Sequence, residues 1–145
     1  MTASSDRMAL IVRAGLCLLI VVSGLALRGF GFSLGLSAFV VKYGGSVLWA
    51  AMVFFLVAMA ASHASRLNVA LISAAIAVGV ELFRLVHVPW LDAFRLTLPG
   101  ALLLGRIFSA WNMLAYGVGI VLAIGLDRLA VDTPAAHLRP HAGVR

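Results

Sequence analysis

Residues 67–85 read LNVALISAAIAVGVELFRL, an apolar run with one acidic residue, Glu81, near its end. A helix needs about 20 mainly apolar residues to cross the hydrocarbon of a bilayer, so this run predicts a membrane span. Glu81 and Arg84 are three residues apart, a spacing at which side chains meet on a helix. Ala77 and Ala74 lie on the same face and allow another helix to approach closely. Glu81 is therefore expected to point into a helix bundle.

Three further apolar runs flank this one. The four expected spans cover residues 9–27, 46–62, 67–85 and 108–126. Residues 99–106 are expected to form a short approach to the last span, and the apolar segment 30–41, too short to cross, to lie along the interface or re-enter. The expected fold is all-α: a polytopic membrane protein with four transmembrane helices and short interfacial or re-entrant segments. One domain covers residues 1–128, and 129–145 form a solvated tail.

The composition supports a membrane location. The chain is 63% hydrophobic and only 11% charged, against roughly 25% charged in a soluble domain. Its net charge of +6 comes from basic residues scattered between apolar runs, whereas nucleic-acid binding needs them clustered on one face, so no nucleic-acid partner is expected. The first apolar run is longer than the core of a signal peptide, so we expect it to be retained.

Polar residues converge on one membrane face. If four helices cross in turn, the end of the first, the start of the second, the end of the third and the start of the fourth share that face. The candidate site there consists of Arg28, Lys42, Glu81, Arg84, Asp92, Arg95, Asn112 and Tyr116. Asp92 and Arg95, in the loop after the third span, repeat the spacing of Glu81 and Arg84. Asn112, Tyr116 and Gly119 make a matching stripe on the fourth span.

An acidic side chain inside a span is a candidate functional residue. Glu81 is nevertheless near a helix end, so a ligand site and a purely structural salt-bridge network both stay open. His87 follows Glu81 by six residues and does not share its helical face, so no metal site is expected. No cofactor motif is present; in particular, no glycine-rich loop precedes a Lys-Ser or Lys-Thr pair.

Several segments together resemble one family. They are LR at 27–28, KYGGSVLWA at 42–50, ELFR at 81–84, WLDAFR at 90–95, LGRIF at 104–108 and NMLAYGVG at 112–119. In order and spacing they resemble the family of small bacterial membrane proteins called domain of unknown function 2809, which is distantly similar to VanZ-like proteins. The resemblance implies a multi-pass protein of the bacterial cytoplasmic membrane and brings no settled activity with it.

The leading functional hypothesis is that the polar face binds an anionic lipid or an isoprenoid-phosphate headgroup. Arginine makes bidentate contacts to phosphate, while Glu81 and Asp92 would orient the arginines. Two alternatives stay open: a structural or partner-binding membrane subunit, and a membrane enzyme that uses Glu81 as general base. The expected partners are membrane lipid and either a helix–helix partner or a second copy.

The orientation hypothesis places both termini in the cytoplasm. Arg7, Arg13, Arg66, Arg128, Arg139 and Arg145 fall on the face of the termini. The basic residues of the other face have carboxylates nearby, whereas those on the face of the termini are expected to be unpaired. Unpaired basic residues are the stronger topology signal, and they favour the cytoplasm.

Overall fold

The structure, a computed structural model, describes residues 3–104 and 109–132. Over these residues the chain forms helices and turns and contains no strand. The helices are α1 (Ala3–Phe30), α2 (Ala38–Ala60), α3 (Arg66–Phe83), α4 (Pro89–Leu96), α5 (Leu98–Leu103) and α6 (Ala110–Asp127), and a π-helical turn (Arg128–Asp132) extends α6. The all-α fold class is confirmed.

Four helical stretches are long and apolar enough to cross a membrane. They are Asp6–Phe30, Ala38–Ala60, Arg66–Phe83 and Ala110–Asp132. Large apolar side chains cover their outer surfaces; Leu18 on α1 and Val121 on α6, for example, are 65% and 67% exposed. A soluble protein would bury such side chains, whereas in a bilayer they contact lipid tails. The chain is therefore a multi-pass membrane protein.

Helix α2 lies at the centre of the bundle, packed against α1, α3 and α6. Its Phe54 and Phe55 are completely buried. The approach of α6 to α2 depends on Gly119, because a Cβ at this position would collide with the carbonyl oxygen of Val47. Small residues permit such close approach between membrane helices, where packing contacts replace the hydrophobic effect as the main source of stability.

The junction between α1 and α2 is a tight turn. Gly35 adopts φ +77°, and backbone hydrogen bonds run from Leu36 N to Gly31 O and from Gly35 N to Phe32 O, both 3.0 Å. This pairing is the Schellman motif, in which a glycine in the left-handed region ends a helix. Segment 30–41 is thus divided between the end of α1, this turn and the first residues of α2. The expected separate interfacial or re-entrant segment is not formed.

Local hydrogen bonds set the other helix starts. The hydroxyl of Ser37 accepts from Val40 N at 3.3 Å and the hydroxyl of Ser65 from Asn68 N at 3.2 Å, so each caps its helix. With Ser37 as the cap, α2 begins eight residues before the expected 46.

The connection between α3 and α6 is more helical than expected. The segment with Asp92 and Arg95, predicted as a loop, forms α4, which begins at Pro89, a residue suited to a first helical turn. The hydroxyl of Thr97 caps α5 by accepting from Gly100 N at 3.2 Å. Of the expected approach segment 99–106, residues 105 and 106 lie outside the described residues.

The expected solvated tail, 129–145, differs at its start. Residues 129–132 belong to the π-helical turn that continues α6, and Asp132 pairs with Arg66 at 2.7 Å. Residues 133–145 lie outside the described part of the chain.

The four spans place exposed residues at two opposite ends of the bundle, which labelling can check. In a Cys17→Ala background, single cysteines replacing Arg28, Lys42 or His87 should react from one side of the membrane. Single cysteines replacing His63 or Arg128 should react from the other side. The measurement is labelling of intact and permeabilised cells with an impermeant maleimide. Reaction of positions 28 and 87 from different sides would contradict the four-span topology.

Candidate functional site

The carboxylate of Glu81 is the centre of the polar cluster. Its side chain is completely buried, and it accepts four hydrogen bonds. Oε1 accepts from Ser109 N at 2.6 Å and Asn112 Nδ2 at 3.2 Å; Oε2 accepts from Arg84 Nη1 at 2.6 Å and Tyr116 Oη at 3.0 Å. A carboxylate has about four lone-pair sites, so both oxygens are fully used inside the protein.

Helix geometry explains how these groups meet. Glu81 is in the last turn of α3, and Ser109 is the residue that precedes α6. The first N–H groups of a helix have no partner within it, and the helix dipole places partial positive charge there. Glu81 therefore supplies from α3 both the acceptor and the negative charge that the start of α6 requires.

Arg84 connects the Glu81 carboxylate to the end of α5, the segment that precedes α6. Its Nε donates to the carbonyl oxygen of Leu104 at 2.6 Å while Nη1 donates to Glu81. The side chain is only 11% exposed. The guanidinium thus fastens the end of α3 to the end of α5 and neutralises the buried carboxylate.

Helix α2 contacts the same polar group through Asn112. Its Oδ1 accepts from the hydroxyl of Ser46 on α2 at 3.2 Å. The ring of Tyr116 packs against Trp49 of α2, with ring centroids 5.4 Å apart, a favourable aromatic separation. The Glu81 cluster, defined as Glu81, Arg84, Asn112 and Tyr116, therefore connects α2, α3 and α6.

Arg95 forms a second node on α4. Its guanidinium donates to the carbonyl oxygens of Phe83 at 2.6 Å and Val86 at 2.7 Å, and to Asp92 Oδ1 at 3.1 Å. Phe83 is the last residue of α3 and Val86 lies in the turn that follows it, and positive charge is favoured at the C-terminal end of a helix. The side chain is buried, and its Nε has no hydrogen-bond partner among the described residues. Arg95 thus holds α4 against the end of α3.

Two of the eight predicted site residues belong neither to the Glu81 cluster nor to the contacts of Arg95. Arg28 and Lys42 are exposed, and within residues 3–104 and 109–132 no side-chain hydrogen bond or ion pair joins either to a carboxylate. The ammonium of Lys42 lies 5.0 Å from the ring centroid of Tyr43. Arg106, another basic residue of this face, lies outside the described residues. The structure therefore separates internally bonded basic residues from outward-facing ones.

A second buried carboxylate, Asp127, lies at the opposite end of the bundle. Arg13 Nε donates to its Oδ1 at 2.7 Å and Arg13 Nη2 to its Oδ2 at 3.2 Å, and Arg66 Nε donates to Oδ2 at 2.7 Å. Arg13 Nη1 also donates to the carbonyl oxygen of Ala58 at 3.2 Å. The Asp127 cluster, defined as Arg13, Arg66 and Asp127, thus touches all four spans.

Sequence reasoning missed this cluster. The sequence analysis predicts that Arg13 and Arg66 are unpaired, and this prediction is wrong because both pair with Asp127. The signal was available, because the alternation that brings Glu81 to Asn112 also brings the start of α1, the start of α3 and the end of α6 to one face. A buried carboxylate there offers two arginines a partner that lipid does not.

The geometry can now be set beside known proteins. The family described as protein of unknown function DUF2809 matches residues 35–120, more than half of the chain. The protein belongs to this family. No solved structure matches it. The matched part of this DUF2809 protein contains the whole Glu81 cluster, whereas Arg28 and the Asp127 cluster's Arg13 and Asp127 lie outside it.

Within the described ranges, no group of three His, Cys, Asp or Glu side chains is arranged to hold a metal ion. The nearest approach of this kind is His87 Nδ1 to Asp92 Oδ1 at 3.3 Å, on an exposed surface.

Glu81 and Asp92 each pair with an arginine three positions later, but the Glu81 side chain is buried whereas that of Asp92 is exposed. Replacing each carboxylate by an amide therefore gives a matched comparison. Glu81→Gln removes the charge facing Arg84 and presents an amide group to existing donors, so the free energy of unfolding should fall by about 3–5 kcal/mol. Asp92→Asn, at a side chain 44% exposed, should cost at most about 1 kcal/mol. Unfolding by SDS in micelles, followed by circular dichroism, measures both. Equal losses would show that the Glu81 cluster does not hold the spans together.

For the Asp127 cluster, a single replacement and a replacement of all three members are expected to change stability by different amounts. Asp127→Asn leaves two arginines without their carboxylate and should destabilise the DUF2809 protein by about 3–5 kcal/mol. Replacing all three members by leucine removes the charges together and should cost less than the single change, because whole buried ion pairs are often replaceable by apolar groups. The same SDS titration compares the variants. A triple variant less stable than Asp127→Asn would contradict a structural role.

Proposed function

We propose that this protein binds the headgroup of an anionic lipid, a phospholipid or an isoprenoid phosphate, at the membrane face that carries the Glu81 cluster. One observation carries the proposal: Arg28 and Lys42 are exposed at that face, and no described carboxylate pairs with them. A phosphate would supply the missing negative charge. Arginine binds phosphate through two N–H groups, and lysine binds it as a point charge.

The other six predicted residues take a supporting role in this proposal. Arg84 and Arg95 donate to internal acceptors at 2.6–3.1 Å, so they are positioning residues that fix the ends of α3, α4 and α5. Glu81 and Asp92 hold those two arginines, and Asn112 and Tyr116 complete the Glu81 cluster. Contact with phosphate is assigned to Arg28 and Lys42.

Lipid retention tests the proposal. The protein is purified from vesicles containing equal amounts of phosphatidylglycerol and phosphatidylethanolamine, and native mass spectrometry gives the ratio of anionic to neutral lipid retained. A direct ion pair at an exposed site contributes up to about 1 kcal/mol. Because Arg28→Gln/Lys42→Gln removes two such contacts to the bound phosphate, it should lower the ratio by up to about 30-fold. A second arm adds a long-chain isoprenyl phosphate to separate the two headgroup sources.

The matched control removes two exposed basic residues from the other face, Arg7→Gln/Arg128→Gln, and should leave the ratio unchanged. A ratio near one for the unaltered protein would overturn the proposal. So would an equal fall in both double variants, since that would reflect net charge rather than a site.

A structural or partner-binding membrane subunit is the second candidate. It is favoured by the complete internal use of the Glu81 oxygens, which gives the cluster an architectural role without any ligand. The outer helix surfaces would then bind another protein or a second copy. Wild-type protein that retains lipids without charge preference but co-purifies as a defined oligomer would support this candidate over the first.

The geometry does not favour the third hypothesis, catalysis by Glu81. A general base must reach the proton that it removes. The Glu81 side chain is completely buried and accepts four hydrogen bonds from the protein itself. A substrate would have to displace several of these donors before reaching an oxygen.

The proposed location is the bacterial cytoplasmic membrane with both termini in the cytoplasm. Arg13 and Arg66 are paired with Asp127, so they no longer support this orientation. It now relies on Arg7, Arg128, Arg139 and Arg145, which flank the first and last spans in sequence and which the positive-inside rule assigns to the cytoplasmic side. The expected carboxylate partners are not found for Arg28 and Lys42 among the described residues, so these two count against this orientation. The cysteine labelling described above tests the orientation, because positions 63 and 128 should be protected in intact cells.

A further inference from the structure

An apolar groove opens on the protein surface where α1 turns toward α2. Its volume is about 580 Å³, and it is lined by Ala26, Leu27 and Phe30 of α1 and by Ser33, Leu34 and Leu36 of the following turn. Apart from Ser33, the lining side chains offer carbon atoms only, so the groove suits a hydrocarbon.

The backbone makes this groove a fixed feature. At Gly31 a Cβ would collide with the carbonyl oxygen of Leu27 and would lie 2.8 Å from a methyl group of Val41. At Gly35 the backbone is in the left-handed region, φ +77°, as part of the Schellman motif. The Schellman hydrogen bonds and the close approach at Gly31 therefore fix the backbone that carries the lining residues.

Two basic residues, Arg28 and Lys42, are chain neighbours of residues at the groove and form its proposed rim. Arg28 follows Leu27, a lining residue, and Lys42 follows Val41, whose methyl group packs at Gly31. Among the described residues, no carboxylate neutralises either of them. An occupant that satisfies both the groove and its rim must combine an apolar chain with a negative group.

The bilayer supplies such a molecule more readily than a second copy of the protein does. A second copy would have to bring a carboxylate to this rim. The described carboxylates of Glu81, Asp92, Asp127 and Asp132 are already in ion pairs, and Asp6 is at the opposite end of α1. A lipid phosphate with an attached chain requires no such rearrangement.

We infer that the groove holds one hydrocarbon chain of the anionic lipid whose phosphate contacts Arg28 and Lys42. The inference rests on the proposed function and adds to it the place of the chain. Binding selectivity then has two parts: Arg28 and Lys42 bind the phosphate, and the groove binds the hydrocarbon chain. Neutral lipids enter without the charge contribution, and chainless phosphates bind without the apolar contribution.

Photo-crosslinking tests where the chain lies. The protein is reconstituted in vesicles that contain phosphatidylglycerol with a diazirine in one acyl chain, irradiated, and digested for peptide mass spectrometry. Adducts should concentrate on residues 26–36. Ala26→Trp fills the groove and should reduce these adducts by about tenfold, since excluding two methylene groups suffices for a change of that size.

Ala75→Trp is the matched control, because Ala75 is an exposed alanine on α3 far along the chain from the groove. It should leave the adducts on 26–36 unchanged. An equal reduction by both tryptophan variants, or adducts spread evenly over α1, α3 and α6, would overturn the inference.

The two proposals fail in distinguishable ways. Retention of phosphatidylglycerol that depends on Arg28 and Lys42, combined with adducts outside 26–36, overturns the groove and leaves headgroup binding intact. Retention without charge preference removes the headgroup proposal and the groove inference together. Adducts on 26–36 that persist in Arg28→Gln/Lys42→Gln at wild-type levels overturn the joint use of rim and groove.

Discussion

A negative charge that is completely buried in an apolar bundle determines how three of the four spans meet. An isolated carboxylate in such surroundings would cost many kcal/mol, and it is tolerated only where hydrogen-bond donors surround it. Glu81 obtains these donors from the start of α6 and from Arg84. One of these contacts, from Ser109 N, also satisfies a backbone N–H at the start of α6. The end of α3 and the start of α6 are therefore fixed to one another because neither is stable alone.

Asp127 imposes the same condition at the other end of the bundle. There the charge is compensated by Arg13 and Arg66 from two other spans, and α1 is drawn into the bundle by an ion pair as well as by packing on α2. Between the two clusters the described interior is apolar, with Phe54 and Phe55 completely buried, except for Ser73. The hydroxyl of Ser73 donates to the carbonyl oxygen of Val69 at 2.8 Å within α3. The buried charges of the described residues thus lie at the two ends of the bundle and not at the midplane, where transporters commonly bind ions and substrates. A ligand site is therefore better sought on the surface of the bundle than in its interior.

Much of this architecture follows from sequence, and the remainder has identifiable physical reasons. Apolar length predicts the four spans, and helical spacing together with alternation brings Glu81 to Arg84, Asn112 and Tyr116. The pairing of Asp127 was missed because Asp127 closes a span, where an acidic residue is unremarkable until the opposite helix ends are placed beside it. The outward position of Arg28 and Lys42 could not be predicted, since charge and depth alone do not distinguish an arginine that donates to a backbone carbonyl from one that faces lipid.

That distinction changes which residues define the binding site. All arginines on the polar face have the same formal charge, yet Arg84 and Arg95 have internal acceptors within 3.1 Å for the nitrogens that donate. A phosphate approaching them would compete with bonds already formed in a low-dielectric setting, where such bonds are strongest. At Arg28 and Lys42 it competes only with solvent and lipid headgroups. We therefore assign the proposed ligand recognition to the α1–α2 turn, where the apolar groove lies, and a structural role to the Glu81 cluster, which connects α2, α3 and α6.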